Sequence, residues 1–349
     1  MSEAARAGAT PSVSVVIPTR GRPASLLRAL RALARQDLQA DAFEVIVAVD
    51  GVDDPTRDAI ASFRAPYVLR TVNGPGRGRA AACNAALGHA RGDVVLILDD
   101  DMEPAPACLR RHRRHHGDGT RYCVLGAVPV RVDRETPRAG RFVSWKFDLH
   151  LRRLSDPRHV FALRDFYSGN TSIRRDVLLD VGLFDEAFER YGNEDVELSL
   201  RLRERDVALL YDGEAVSDQH YEKNLAALTR DTFEKGTTAV LLARAHPSAF
   251  PELQLASYRA HHALAWRAVR AALLSLTRAY GGAATAVLRF AQVVERTPLA
   301  RPLFYVLLLD YFYWLGVDSV LAHDRTEPGP LTELAADLRD GPIRLLLHR

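Results

Sequence analysis

From Val13 to about Leu225, runs of consecutive aliphatic residues alternate with stretches in which apolar positions recur at helical spacing. The continuous runs predict strands at Val13–Pro18, Phe43–Asp50, Tyr67–Val72, Val94–Asp99 and Tyr122–Val128. The periodic stretches predict helices at Ala24–Arg35, Pro55–Phe63 and Arg79–Ala90. Strands apolar on both faces and separated by helices predict an α/β fold with a mostly parallel sheet covered on both sides. After Leu225 the strand signal stops. Ala-, Leu- and Arg-rich helical sequence follows, broken near Pro247–Pro251, Gly281–Gly282, Pro298–Pro302 and Pro328–Pro330. The expected organisation is a tail over 1–12, an α/β domain over 13–225 and a helical region over 226–349.

Composition narrows the class. The 349 residues are 47% apolar and 26% charged, enough to bury a core, which excludes disordered and fibrous chains. A formal net charge of +3 gives no reason to expect a nucleic-acid partner. Of the 47 basic residues only Lys146, Lys223 and Lys235 are lysines, so the chain is rich in planar forks suited to phosphate. Cys83, Cys108 and Cys123 have no metal or redox spacing, as expected in a reducing compartment. Met1 to Ser12 lacks an apolar leader segment, and Asp310 and Asp318 interrupt the most apolar helical stretch, Pro302–Val320. These features lead to the expectation of a cytoplasmic protein.

The chemistry gathers at strand ends, where ligands of parallel sheets bind. The first predicted strand ends in Pro18-Thr19-Arg20, the second in Asp50, and the fourth in Asp99-Asp100-Asp101. Three adjacent carboxylates raise one another's pKa unless a cation or protons neutralise them. Their hard oxygens suit Mg²⁺ or Mn²⁺, ions that bridge to diphosphates. Further on, Glu194-Asp195 opens a helical run after Tyr191-Gly-Asn193. Carboxylates favour a first turn, and one kept ionised there also suits a general base.

These motifs, in this order, resemble the family 2 nucleotide-sugar glycosyltransferases. The resemblance covers roughly Val13 to His220 and rests on Ser14-Val-Val-Ile-Pro18, Val49-Asp50, Leu98-Asp-Asp-Asp101 and Gly182-x-Phe-Asp-Glu through Tyr-Gly-Asn-Glu-Asp195 to Arg201. Residues 168–201 look like the acceptor half of galactosyltransferase-type relatives. The resemblance implies a GT-A fold, a Rossmann-like sheet flanked by helices, and a metal-dependent, inverting transfer from a nucleoside-diphosphate sugar, UDP-linked, to an acceptor hydroxyl. The acceptor would be a glycan, a lipid-linked molecule or a small molecule. Pro18, Thr19, Arg20 and Asp50 would border the nucleotide. Asp99 would face the ribose or sugar, and Asp101 would ligate Mn²⁺ or Mg²⁺, with Asp100 between them in the donor site. Asp195 would be the base, with Glu194 as the second choice. His220 matches a metal ligand of some GT-A relatives, or is structural. One departure stands out: the family's arginine before Asn84 is Cys83 here, leaving Arg79 or Arg77 to reach the diphosphate.

Two other classes compete. Gly76-Arg-Gly-Arg-Ala-Ala81 fits a dinucleotide-binding loop with Asp99 about 20 residues on, as in an NAD(P)-dependent oxidoreductase. A non-catalytic sugar-nucleotide-binding protein would keep the same donor residues. The basic run Leu109–His116 lacks interleaved aromatics and reads as a solvated helix face. In the tail, Arg259, Arg267, Arg270 and Arg278 share an arc that would suit peripheral contact with an anionic membrane on its cytoplasmic side. The aromatic run Phe304-Tyr305 and Tyr311–Trp314 reads as core or a homodimer face.

Overall fold

A computed structural model describes residues 11–117, 121–259, 263–322 and 329–347, the last eight by backbone alone. Apart from Pro11 and Ser12, the expected tail lies outside the described residues. The chain divides into two compact units. The first comprises residues up to 136, 143–189 and 194–222; the second comprises 137–142, 190–193 and 223 onward.

In the first unit, β1 (Val13–Thr19), β2 (Phe43–Asp50), β3 (Val68–Gly74) and β4 (Val94–Leu98) run parallel in the order β3-β2-β1-β4. The sheet continues through β8 (Asn170–Arg174), β6 (Tyr122–Gly126) and β9 (Ala208–Asp212). The sheet is mostly parallel, as the pattern predicts, with β8 antiparallel to both of its neighbours, β4 and β6. A small second sheet joins β5 (Met102–Pro104), β10 (Ser217–His220) and β7 (Val130–Arg131).

Alternate residues of the central strands feed two cores. Val15, Ile17, Val45, Val47, Leu96 and Leu98 pack with Leu26, Leu30 and Leu33 of α1 (Pro23–Leu33). Val16, Ile46, Val95 and Ile97 pack with Ala80, Cys83, Ala86 and Leu87 of α3 (Arg79–Leu87). Between these helices lies α2 (Asp54–Ser62), capped by the Asp53 side chain. Later come α4 (Cys108–Arg114), α5 (Arg138–Leu154), α6 (Arg175–Val181) and α7 (Glu194–Glu204).

The second unit is helical: α8 (Leu225–Ala245), α9 (Leu264–Ala279), α10 (Ala283–Glu295), α11 (Pro302–Leu321) and α12 (Pro330–Leu347). By length and composition α11 is apolar enough to cross a membrane, yet 56% of its apolar window is buried inside the protein. It crosses α8 at two facing glycines. A Cβ on Gly236 would lie 2.0 Å from the Tyr313 carbonyl oxygen, and one on Gly316 would lie 2.0 Å from that of Phe233. Backbone on both sides leaves nothing to yield, so Gly316→Ala is expected to cost about 1–3 kcal/mol through overpacking. An unchanged thermal midpoint would contradict the close crossing.

The expected basic arc of the tail is corrected. Arg259 precedes α9 and pairs with Asp337, Arg270 is fully buried against Asp310, and Arg278 pairs with Asp318. Three of the four arginines thus serve internal carboxylates rather than an open basic face.

Candidate donor and base site

The residues singled out at strand ends meet in three linked groups within the first unit. Asp50, at the end of β2, accepts from the backbone N–H groups of Gly76 (2.7 Å) and Gly78 (3.1 Å), while Arg20 stands 3.8 Å away on the solvent side. The Gly-rich loop therefore turns these two amides onto a side chain of its own protein. A pyrophosphate-binding loop would need them free, which removes the main support for the dinucleotide reading. Gly78 has φ +94°, and a Cβ there would meet the Glu189 carbonyl oxygen at 2.2 Å, so this entry to α3 admits only glycine.

The second group surrounds the acidic triplet. Thr19 Oγ1 donates to Asp100 at 2.7 Å, and Arg22 spans Asp100 (2.7 Å) and Asp101 (3.3 Å). Gln219 Nε2 approaches Asp101 at 3.4 Å. Burial, aided by Asp101 and Asp99 and opposed by Arg22 and Thr19, pushes the Asp100 carboxyl up to about 7. Neither Arg22 nor Gln219 stood out in the sequence. Arg22 supplies local positive charge to a cluster that would otherwise repel itself. Among the described residues no three carboxylate, imidazole or thiol side chains converge on one point, Asp99 being turned to Arg79, so the hard oxygens of Asp100 and Asp101 are what this group offers to Mg²⁺ or Mn²⁺.

The third group is centred on Arg79. Its Nη2 and Nε donate to Asp99 Oδ1 at 2.7 and 3.1 Å, and its Nη1 reaches Asp195 at 3.3 Å and Glu194 at 3.9 Å. Its guanidinium also lies 5.8 Å from the centroid of Phe184. That ring is held by Asn84, whose amide exchanges hydrogen bonds with the Phe184 backbone N–H (3.0 Å) and carbonyl (2.9 Å). Arg201 donates to the carbonyls of Val181 and Leu183 and pairs with Glu197, tying the Gly-x-Phe-Asp-Glu turn to α7. Asp195 is fixed by the Ser168 hydroxyl and, at 3.4 Å, by the Ser168 backbone N–H. Ser168 is the other residue that sequence reading missed; it opens the Ser-Gly-Asn turn before β8, and only the fold brings it to Asp195.

Arg77 stands apart, half-exposed and paired with Glu186. His220 Nε2 bonds Glu103 at 2.7 Å, while its backbone N–H donates to the Asp101 carbonyl at 2.9 Å. Pro18 is buried near the end of β1. Cys83 lies one helical turn beyond Arg79 on the same face, and burial first of all pushes its thiol up to about 12. It is an inert, protonated core residue.

A mostly parallel sheet with aspartates at its strand ends and a carboxylate pair opening a later helix defines a domain of the GT-A type. Residues 14–182 match the profile described as Glycosyl transferase family 2, and this part of the chain is a family 2 glycosyltransferase domain. Glycosyltransferase YfnE of Bacillus subtilis (strain 168), itself described as uncharacterized, is 29% identical over 55% of this chain and 60% of its own length. Validoxylamine A glucosyltransferase of Streptomyces hygroscopicus subsp. jinggangensis (strain 5008) is 29% identical over 70% of this chain and 63% of its own. The chain thus spans under two thirds of the length of these relatives. Among solved structures, mannosyltransferase PcManGT from Pyrobaculum calidifontis, in complex with GDP-Man and Mn²⁺, shares the fold with TM-score 0.56. Its sequence is 21% identical, and the match covers 88% of each chain.

Proposed function

We propose that the protein transfers a sugar from a nucleoside-diphosphate sugar, UDP-linked, to an acceptor hydroxyl with inversion at the anomeric carbon. The observation that carries this reading is Arg79, whose single guanidinium joins Asp99 at the end of β4 to Asp195 at the start of α7. Donor-side and acceptor-side carboxylates are thereby neighbours in one pocket of charge.

In this reading Thr19, Arg20 and Asp50 border the nucleotide, and Asp195 takes the acceptor proton as the hydroxyl oxygen bonds to the anomeric carbon. The bond from that carbon to the diphosphate oxygen breaks, and its electron pair leaves with the nucleoside diphosphate. The Asp195 side chain is 28% exposed against 4% for Glu194, which favours Asp195 as the group an acceptor can reach. Arg79, one turn before Cys83, is placed to take over the diphosphate charge that the family's arginine would meet. Asp101 would hold Mn²⁺ or Mg²⁺ while Asp99 faces the ribose or sugar, and the ion when bound would neutralise the departing diphosphate. The solved complex of the same fold with GDP-Man and Mn²⁺ supports a nucleotide sugar and a divalent cation in general. The acceptor is a glycan, a lipid-linked molecule or a small molecule, and the three buried free cysteines favour a reducing compartment.

The test is release of nucleoside diphosphate from a panel of UDP- and GDP-sugars, with and without Mn²⁺. Chelation by EDTA is expected to lower turnover about a hundredfold, the scale of a few kcal/mol of charge stabilisation. Asp101→Ala should abolish the response to added Mn²⁺ while leaving the thermal midpoint near that of the parent. Release indifferent to EDTA would remove the metal from the reading. Binding of NADH without binding of any nucleotide sugar would restore the oxidoreductase class.

A further inference from the structure

On α9 one arginine is buried beside Ala271 and Leu274, while an apolar stripe faces outward. Arg270 is fully buried, whereas Ala265, Val269, Ala272, Leu276 and Ala279 are exposed. On an ideal helix those five fall within about 80° of arc, with no charge among them. Helix α10 continues the pattern: Ala291 is its buried residue, while Phe290 is 70% and Val293 61% exposed. After it, Leu299 is 72% and Leu303, in the first turn of α11, 64% exposed. Large apolar side chains exposed along successive helices mark a contact face rather than ordinary solvated surface.

Its charges have one sign. Arg289, Arg296 and Arg301 are exposed and form no ion pair with a described residue. On the helical wheel Arg289 and Arg296 edge the arc that holds Val293 and Phe290. From Leu264 to Leu303 the only acidic residue is Glu295, and it is turned inward, accepting from the Ala139 backbone N–H at 3.1 Å and from the Tyr305 hydroxyl at 3.2 Å. A second copy docked about a two-fold axis would bring this patch against itself, arginines included, with no carboxylate to answer them. Protruding aromatic and aliphatic side chains edged by unpaired arginines match an anionic bilayer surface instead.

We propose that α10 and the segment leading into α11, continued by the apolar stripe of α9, form a seat for an anionic lipid surface. Phe290, Val293, Leu299 and Leu303 enter the boundary between headgroups and acyl chains, and Arg289, Arg296 and Arg301 hold lipid phosphates. The contact is peripheral, and it does not involve the Arg259–Arg278 set.

The experiment is flotation of the full chain with vesicles of phosphatidylcholine alone and of phosphatidylcholine mixed with phosphatidylglycerol. It reads binding rather than turnover, so its outcome is independent of the glycosyl-transfer reading. Flotation is expected only with the mixed vesicles, and raised ionic strength should weaken it. Replacing the three arginines by glutamine should weaken binding roughly 100-fold, about fivefold for each charge. Phe290→Ser should weaken it about tenfold. Val293→Ser is the second apolar variant if a thermal melt shows that Phe290→Ser is misfolded. No flotation with mixed vesicles, or equal flotation of parent and variants, overturns the proposal. So does a concentration-dependent dimer that Phe290→Ser dissociates in the absence of lipid binding, because that outcome assigns the face to a second copy.

Discussion

Asp195→Asn should lower kcat by about 10²–10⁴ while leaving donor binding within a few-fold of the parent. Asparagine keeps the shape and can still accept from Ser168 through its carbonyl oxygen, so the start of α7 should hold its place. What it loses is the capacity to take a proton from the incoming hydroxyl. Arg79 retains its two bonds to Asp99, so the donor side of the site is held as before. The comparison that sharpens the result is Glu194→Gln, at a side chain only 4% exposed, where the loss should be far smaller and should follow stability. Nucleoside-diphosphate release under saturating donor, together with donor affinity by calorimetry, separates the two. Near-parental turnover in Asp195→Asn would transfer the base to another group. A parallel collapse of donor affinity would instead give Asp195 a binding role through Arg79.

The central sheet was legible because its strands are buried on both faces, and such strands print continuous apolar runs in the sequence. The antiparallel strand β8 was not. Its sequence is Asn-Thr-Ser-Ile-Arg, yet its first four residues are all buried. The polarity is satisfied from elsewhere: Asn170 donates to the carbonyls of Ala127 and Ala215, and Ser172 meets His112 and His116. Those histidines sit in the basic run that reads as a solvated face, and His112 is wholly buried, with burial first of all drawing its pKa down to about 4. A polar residue looks exposed in a sequence until its partner is found, and here the partners lie 43 or more residues away.

The same limit explains the site. Asp50, the acidic triplet and Glu194-Asp195 could be picked out because strand ends and helix starts can be located from local pattern. Arg22 and Ser168 could not, since nothing in Thr-Arg-Gly-Arg or Tyr-Ser-Gly tells which side chain will face a carboxylate some 80 or 27 positions distant. Arg79 was visible as one of two substitutes for the arginine absent at Cys83. The fold separates the two candidates, because Arg79 turns into the carboxylate cluster and Arg77 turns out to Glu186.

Asp310→Ala should destabilise the helical unit by about 3–5 kcal/mol, the cost of leaving a buried charge without its partner. Asp310 receives Arg270 at 3.0 Å and the indole N–H groups of Trp266 at 2.7 Å and Trp314 at 3.0 Å. Arg270 is fully buried, with Tyr258 and Trp314 rings 4.5 and 5.1 Å from its guanidinium carbon and the Tyr258 carbonyl at 2.7 Å. Alanine would strand a cation and two indole donors at once, with Arg270 and Trp314 fully buried. A fall in the thermal midpoint of about 10–20 °C is expected for a unit of this size. Asp310→Asn keeps one acceptor oxygen for an indole and should fall between the two. Joint replacement of Asp310 by Leu and Arg270 by Met removes both charges, and it should recover only part of the loss, because an apolar pair needs no desolvated ions but the two indole N–H groups still lack their acceptor. If Asp310→Ala melted within a few degrees of the parent, the ion pair would not be what fixes α9 to α11, and the aromatic packing around Trp314 would carry that role instead.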